Sequence, residues 1–125
     1  MSNVPRLNVI ASHDAEGDEQ PNVLKLANDA DPMSLAGALA GIERIELHFP
    51  HFTDGRAYSQ AYLLRRRLGF TGDLRATGDV QIDQLLQIAR TGFSSAVLNE
   101  GLDPADAARH LARYSGFYQR DLAGA

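Results

Sequence analysis

Residues 44–78 read RIELHFPHFTDGRAYSQAYLLRRRLGFTGDLRATG, and this stretch holds a whole strand–helix–strand passage. RIELHF alternates Ile45, Leu47 and Phe49 against Arg44, Glu46 and His48, the two-residue period of a strand with one apolar and one polar face. After PHFTDG, the residues Ala57, Ala61, Leu64 and Leu68 recur at helical spacing until Gly69 stops the run. DLRAT then alternates again, Leu74 and Ala76 against Arg75 and Thr77. Two strands joined by a helix of this length are the crossover unit of a parallel sheet.

The unit repeats on both sides. NVLKLA, from Asn22, reads as a strand, and DADPMSLAGALAGI as a helix with Asp31 as N-cap, Pro32 at the first helical position and Leu35, Ala36 and Leu39 on one face. A third helix from Gly78 carries Ile82, Leu85, Leu86 and Ala89 before Gly92. SSAVLN is the fourth strand, and Asp103 with Pro104 opens a last helix bearing Ala108, Leu111, Ala112 and Ser115. Four consecutive strand–helix units predict an α/β fold with a parallel sheet. A doubly wound sheet has apolar strands throughout. The alternation here instead predicts helices mainly on one face, as in half of a strand–helix barrel, with a flavodoxin-like open sheet as the alternative. Residues 22–120 form the domain. Residues 1–21 form an N-terminal arm, in which RLNVI is an added edge strand or attached arm and SHDAEGDEQ a solvated acidic loop.

At 125 residues the chain is one domain, with 44% apolar and 22% charged residues, an ordinary globular composition. A formal net charge of -4 argues against a nucleic-acid partner, which needs a basic face to release counterions. The absence of cysteine removes disulfides, thiolate nucleophiles and thiolate-held iron–sulfur centres. With no signal-peptide pattern and no apolar run of membrane length, the expectation is a cytoplasmic chain with no membrane partner.

Loops that follow parallel strands share the sheet edge at which such folds bind ligands. PHFTDGR, ATGDV and NEGLDP are therefore expected to be neighbours. Gly55 and Gly78 permit tight turns, and Asp54 and Asp79 stand where helix caps stand. Two helix N-termini beside Arg56 and Arg75 make an anion site. The expected ligand-binding set is Asp54, Gly55, Arg56, Arg75, Gly78, Asp79 and Gln84. Asp79 and Asp83, near one helix face, are the candidates for acid–base catalysis. The plainer reading makes the two aspartates caps and pairs the arginines with them on the surface. Arg65, Arg66 and Arg67 read as a solvated helix face. His48, His51 and Glu46 lack the spacing of a metal site, so neither metal nor cofactor is expected. The polar sheet face, bearing Lys25, Glu46, His48 and Arg75, suits burial in a symmetric homodimer.

These residues also resemble a known family. Phe49, Pro50, Phe52, Asp54, Gly55 and Arg56, then Leu64, Arg65 and Arg67, then Leu74, Arg75, Ala76, Gly78, Asp79 and Val80, then Asp83, Gln84, Arg90, Gly92 and Phe93 are similar to the hallmark of the bacterial domain of unknown function 934 family, over roughly residues 22–119. Asp73 replaces the usual glutamate, Gln81 and Ile82 a usual Leu-Arg pair, and Thr91 a common cysteine. The family is commonly labelled an oxidoreductase of sulfite reduction, on the ground of resemblance and of encoding beside assimilatory sulfite reductase. The resemblance thus implies a part in sulfur assimilation and cysteine biosynthesis but supplies no catalytic residues. A chain without cysteine and without a nicotinamide or flavin fingerprint fits that setting as an accessory factor. Such a factor would bind the reductase or an anionic small molecule, with a small-molecule enzyme (Arg56 and Arg75 as anion clamp) or a structural subunit as alternatives.

Overall fold

The computed structural model describes residues 7–15 and 22–114. Five strands, β1 (Asn8–Ile10), β2 (Val23–Leu26), β3 (Arg44–Phe49), β4 (Asp73–Gly78) and β5 (Ser95–Val97), form one open sheet in the order β1-β5-β4-β3-β2, every pair parallel. Among the described residues the helices are α1 (Ser12–Ala15), α2 (Arg56–Tyr62), α3 (Leu85–Thr91) and α4 (Pro104–Leu111). From β2 to β5 each strand lies beside the next in sequence, without the reversal of order that marks a flavodoxin-like sheet. Right-handed crossovers stepping in one direction leave their connections on one face. Over β2 to β5 that matches the one-sided helix cover the alternating strands predict, and β1, added beyond β5, makes the whole an open five-stranded parallel sheet.

Register explains the two faces. Ile45 pairs with Leu74 and Leu47 with Ala76, while on the reverse side Glu46 pairs with Arg75 and His48 with Thr77. The first set is fully buried and meets Ala57, Ala61 and Leu64 of the α2 region, Leu85, Ile88 and Ala89 of α3, and Ala107 and Leu111 of α4. Alanines at 57 and 61 let α2 lie close to the sheet, and the Phe49 ring fills the remaining space, 5.1 Å from Tyr58 and 5.9 Å from Phe93. Burying one such side chain contributes about 1.5–3 kcal/mol. The segment RLNVI supplies β1, which pairs with β5 at Asn8–Ser95, Val9–Ala96 and Ile10–Val97, and Leu7 and Ala11 beside it are buried.

Several expectations need correction. The predicted helix after β2 is a single 3-10 turn, Pro32–Leu35, capped as expected by Asp31, whose Oδ1 accepts from Met33 N at 3.0 Å. Gly37 at φ 81° and Gly41 at φ 85° end helical geometry that the apolar spacing alone would have continued. The crossover is instead held from α2, where Gln60 Nε2 donates to the carbonyls of Ala27 (2.8 Å), Asn28 (3.2 Å) and Ala30 (2.9 Å). The third helix does not start at Gly78. A 3-10 turn at Ile82–Gln84 precedes α3 and is closed by a reciprocal capping box between Gln81 and Gln84. The fourth strand is limited to Ser95–Val97. Ser115, part of the acidic loop (residues 16–20) and the domain's end at 120 lie outside the described residues.

Arg65 is the largest departure from the solvated-face reading. Beyond α2 the chain widens into a π-helical turn, Leu63–Arg67, closed by Leu68 N donating to Leu63 O at 3.0 Å. Here Arg65 turns inward. Its Nε donates to Gly92 O (2.8 Å), its Nη1 to Phe70 O (2.9 Å) and Gly72 O (2.7 Å), and its Nη2 reaches Ser94 Oγ at 3.4 Å, with the guanidinium 5.7 Å from the Phe70 ring centre. Gly92 is needed for this approach: its φ is 126°, and a Cβ there would stand 2.8 Å from Arg65 Cγ. Arg66 and Arg67 are exposed, Arg66 lying over Tyr62. Hydrogen bonds to a charged donor contribute about 1.5–3 kcal/mol each. Arg65→Lys, which cannot span four acceptors, is therefore expected to cost about 2 kcal/mol or more in urea denaturation. Arg66→Lys is expected to stay within about 0.5 kcal/mol of the parent.

Candidate functional site

The loops after β3, β4 and β5 meet at the carboxyl end of the sheet, and one carboxylate joins them. Asp79 Oδ2 accepts from Phe52 N at 2.9 Å, and Oδ1 accepts from Gln81 Nε2 and from Asn99 Nδ2, each at 2.6 Å. Asp79 N donates to Phe49 O at 2.7 Å, and Asn99 N donates to Val80 O at 3.0 Å. Gln84 Nε2 donates to Phe52 O, so both backbone polar groups of Phe52 are held by side chains from the next loop. Asp79 is thus not the helix cap it resembles in sequence. Its donors are mostly 20 and 27 residues away, and the cap position belongs to Gln81.

The hydrogen bonds from Gln81 and Phe52 hold the Asp79 carboxyl below the ordinary aspartate range against an opposing desolvation, with smaller help from Asn99 and from the charge of His51. Asp54 accepts from Arg56 N at 2.9 Å at the start of α2, and its Oδ1 lies 3.8 Å from the exposed Arg56 Nε. Asp83 is exposed on the 3-10 turn. Its charge, after the larger effect of burial, raises the proton affinity of the Tyr58 hydroxyl, which is buried without a hydrogen-bond partner.

The edge therefore gathers Asp54, Gly55, Arg56, Gly78, Asp79 and Gln84, but not Arg75. Arg75 stands mid-strand on the polar sheet face, where Nε donates to Ser95 Oγ at 2.9 Å and Nη2 lies 3.6 Å from Asp73 Oδ2. Its cation is directed to the strand's start rather than to the loops. The donors at the start of α2 and before α3 are also occupied, by Asp54 and by the Gln81–Gln84 box, which weakens the two-helix anion site.

What the spacing of motifs missed is a cleft on the polar face. A hollow of about 680 Å³ lies over the carboxyl halves of β2, β3 and β4, lined by Lys25, Leu26, Ala27, Asn28, Glu46, His48, Thr77 and Gly78. Volumes of this order hold small organic ligands. Lys25 and Glu46 are cross-strand partners, as are His48 and Thr77, so the lining follows directly from the strand register. Asn28 Nδ2 donates to His48 O at 3.0 Å and Thr77 Oγ1 to Leu47 O at 3.4 Å. Gly78, at φ 93°, makes room for the imidazole, since a Cβ there would come within 2.7 Å of His48 Cε1. The signal in the sequence was the alternation that placed Lys25, Glu46 and His48 on one face.

The family profile of bacterial proteins of unknown function designated DUF934 matches residues 23–125, covering β2 through α4. The chain belongs to the DUF934 family. No curated protein sequence and no solved structure matches it. The DUF934 match covers both the Asp79 junction and the cleft, and among the described residues no helix is long and apolar enough to cross a membrane.

Because Asp79 binds its proton less readily in the native state than in the unfolded chain, its contribution to stability is complete above about pH 4, the ordinary aspartate range. It is lost as pH falls through the lowered native value. Asp79→Asn is accordingly expected to melt below the parent at pH 7, and the gap in Tm should close on acidification. Paired melting curves across that range check it, and a gap independent of pH would contradict the junction described.

Proposed function

We propose that this protein binds a small organic anion in the polar-face cleft, as an accessory factor rather than a redox enzyme. The observation that carries the reading is the pattern of charge around the cleft. Arg44 Nε meets Glu46 Oε2 at 3.1 Å, and Arg75 meets Asp73. Among the described residues the exposed ammonium of Lys25 has no hydrogen bond or ion pair, which leaves it as the charge available to a ligand. A cation in a concave, partly apolar site favours an anionic guest.

The acid–base alternative is less well supported. Asp79 is held ionised by its three donors, whereas a general acid or base at neutral pH works best with a proton affinity near that pH. Assimilatory sulfite reduction is the setting that the family resemblance implies. Within it, a chain without thiols is suited to presenting or sensing an anionic metabolite, or to docking on the reductase, and not to carrying electrons through thiolate chemistry.

Thermal shift against sulfite, sulfate, adenylylated sulfur nucleotides and simple carboxylates, with and without assimilatory sulfite reductase, tests the reading. An anion present at a hundredfold excess over its Kd is expected to stabilise the parent by about 2.7 kcal/mol. Lys25→Met should remove that shift while leaving the ligand-free Tm nearly unchanged, as befits an exposed side chain. No shift with any anion, or an undiminished shift in Lys25→Met, would refute the cleft as the binding site.

A further inference from the structure

The donors and acceptors that line the cleft narrow the class of its guest. Two lining side chains direct their donor groups at the protein's own carbonyls, Asn28 Nδ2 to His48 O and Thr77 Oγ1 to Leu47 O. The second N–H of Asn28 and an imidazole N–H of His48 stay available as single donors, and among the described residues Lys25 remains as the uncommitted ammonium. Among the described residues acceptors are left over as well: the side-chain oxygen of Asn28, the lone pairs of Thr77 Oγ1, and Glu46 Oε1, since Arg44 takes Oε2. Lys25 and Glu46 are register partners across β2 and β3 and both line the cleft, yet among the described residues they make no ion pair with each other.

A compact, multiply charged oxyanion is mismatched to such a lining, because one ammonium would have to offset its charge beside the Glu46 carboxylate. A purely apolar acid would leave the acceptors unpaired. We infer that the cleft takes an organic acid with one anionic group for Lys25 and a donor-bearing body, hydroxyl or ammonium, for Glu46, Asn28 and Thr77. This rests on the anion-binding reading above and specifies its ligand.

Three acids of one chain length separate the possibilities: caproate, ε-aminocaproate and gluconate, with sulfate as the compact anion. Calorimetric titration of the intact chain is expected to give at least one of the two donor-bearing acids an affinity about tenfold above that of caproate, with sulfate weaker than either. Glu46→Gln, which keeps an acceptor for Arg44, should reduce the preference for ε-aminocaproate over caproate about tenfold, because the ammonium loses its partner while caproate, relieved of the neighbouring carboxylate, binds no more weakly. Equal affinity for all three organic acids, or tightest binding of sulfate, overturns the donor-bearing ligand while leaving anion binding intact. Binding of none of the four overturns both. A Glu46→Gln variant that fails to fold does not decide the matter, because the order of affinities in the parent chain already does.

Discussion

The pairing of β3 with β4 is the constraint on which the rest of this molecule depends. Six consecutive partners, from Arg44–Asp73 to Phe49–Gly78, fix which side chains face the helices and which face away. A one-residue slip would put Arg44, Glu46 and His48 into the core and expel Ile45, Leu47 and Phe49. The register is therefore held by the full hydrophobic free energy of the core. The same alternation that makes the fold stable composes the polar face, so the cleft is a by-product of the packing on the opposite side. No separate device is required to bring Lys25, Glu46, His48 and Thr77 together.

Such a one-sided sheet has physical consequences for what the chain can do. Helices α2, α3 and α4 are occupied in covering the apolar face, and the carboxyl-edge loops are tied to one another through Asp79 and Gln84. Their polar groups are largely satisfied within the protein. On the polar face, in contrast, an ammonium and several acceptors around a hollow have no partner among the described residues. The polar groups of the edge are thus largely structural, and the proposed recognition falls to the polar face.

Much of the fold was legible in the sequence because it is local. The periods of β3 and β4, the Asp31 and Asp103 caps and the stop at Gly69 are each decided within a few residues. The helix expected after β2 failed because Gly37 and Gly41 outweigh the spacing of Leu35 and Leu39, and because the stabilising contact comes from Gln60, far along the chain. Asp79 and Arg65 were misread for a related reason. Their partners are backbone groups of distant loops, which no residue type advertises; an aspartate after a glycine resembles a cap, and an arginine triplet resembles a solvated face. Arg75 was assigned to the loop edge from its nearness to Gly78, but a strand residue's direction is set by the pleat, and the pleat turns it toward Asp73 and Ser95. The cleft is half visible: alternation places Lys25, Glu46 and His48 on one face, while Ala27, Asn28 and Gly78 join the lining from beyond the alternating pattern.

The two ends of the sheet are held by charges of opposite sign. At the amino end a guanidinium, Arg65, gathers three carbonyls from two connections; at the carboxyl end a carboxylate, Asp79, gathers N–H groups from three loops. A guanidinium keeps its proton at any pH a protein meets, whereas a carboxylate does not. Acid therefore acts on this protein as a one-ended solvent: it loosens the junction at the carboxyl edge and leaves the opposite one fastened. Below about pH 4, where Asp79 begins to lose its advantage, the backbone amides of the 50–55 and 78–82 loops should exchange with solvent well before those around Phe70 and Gly92, giving the molecule a polarity of opening that its uniform sheet conceals.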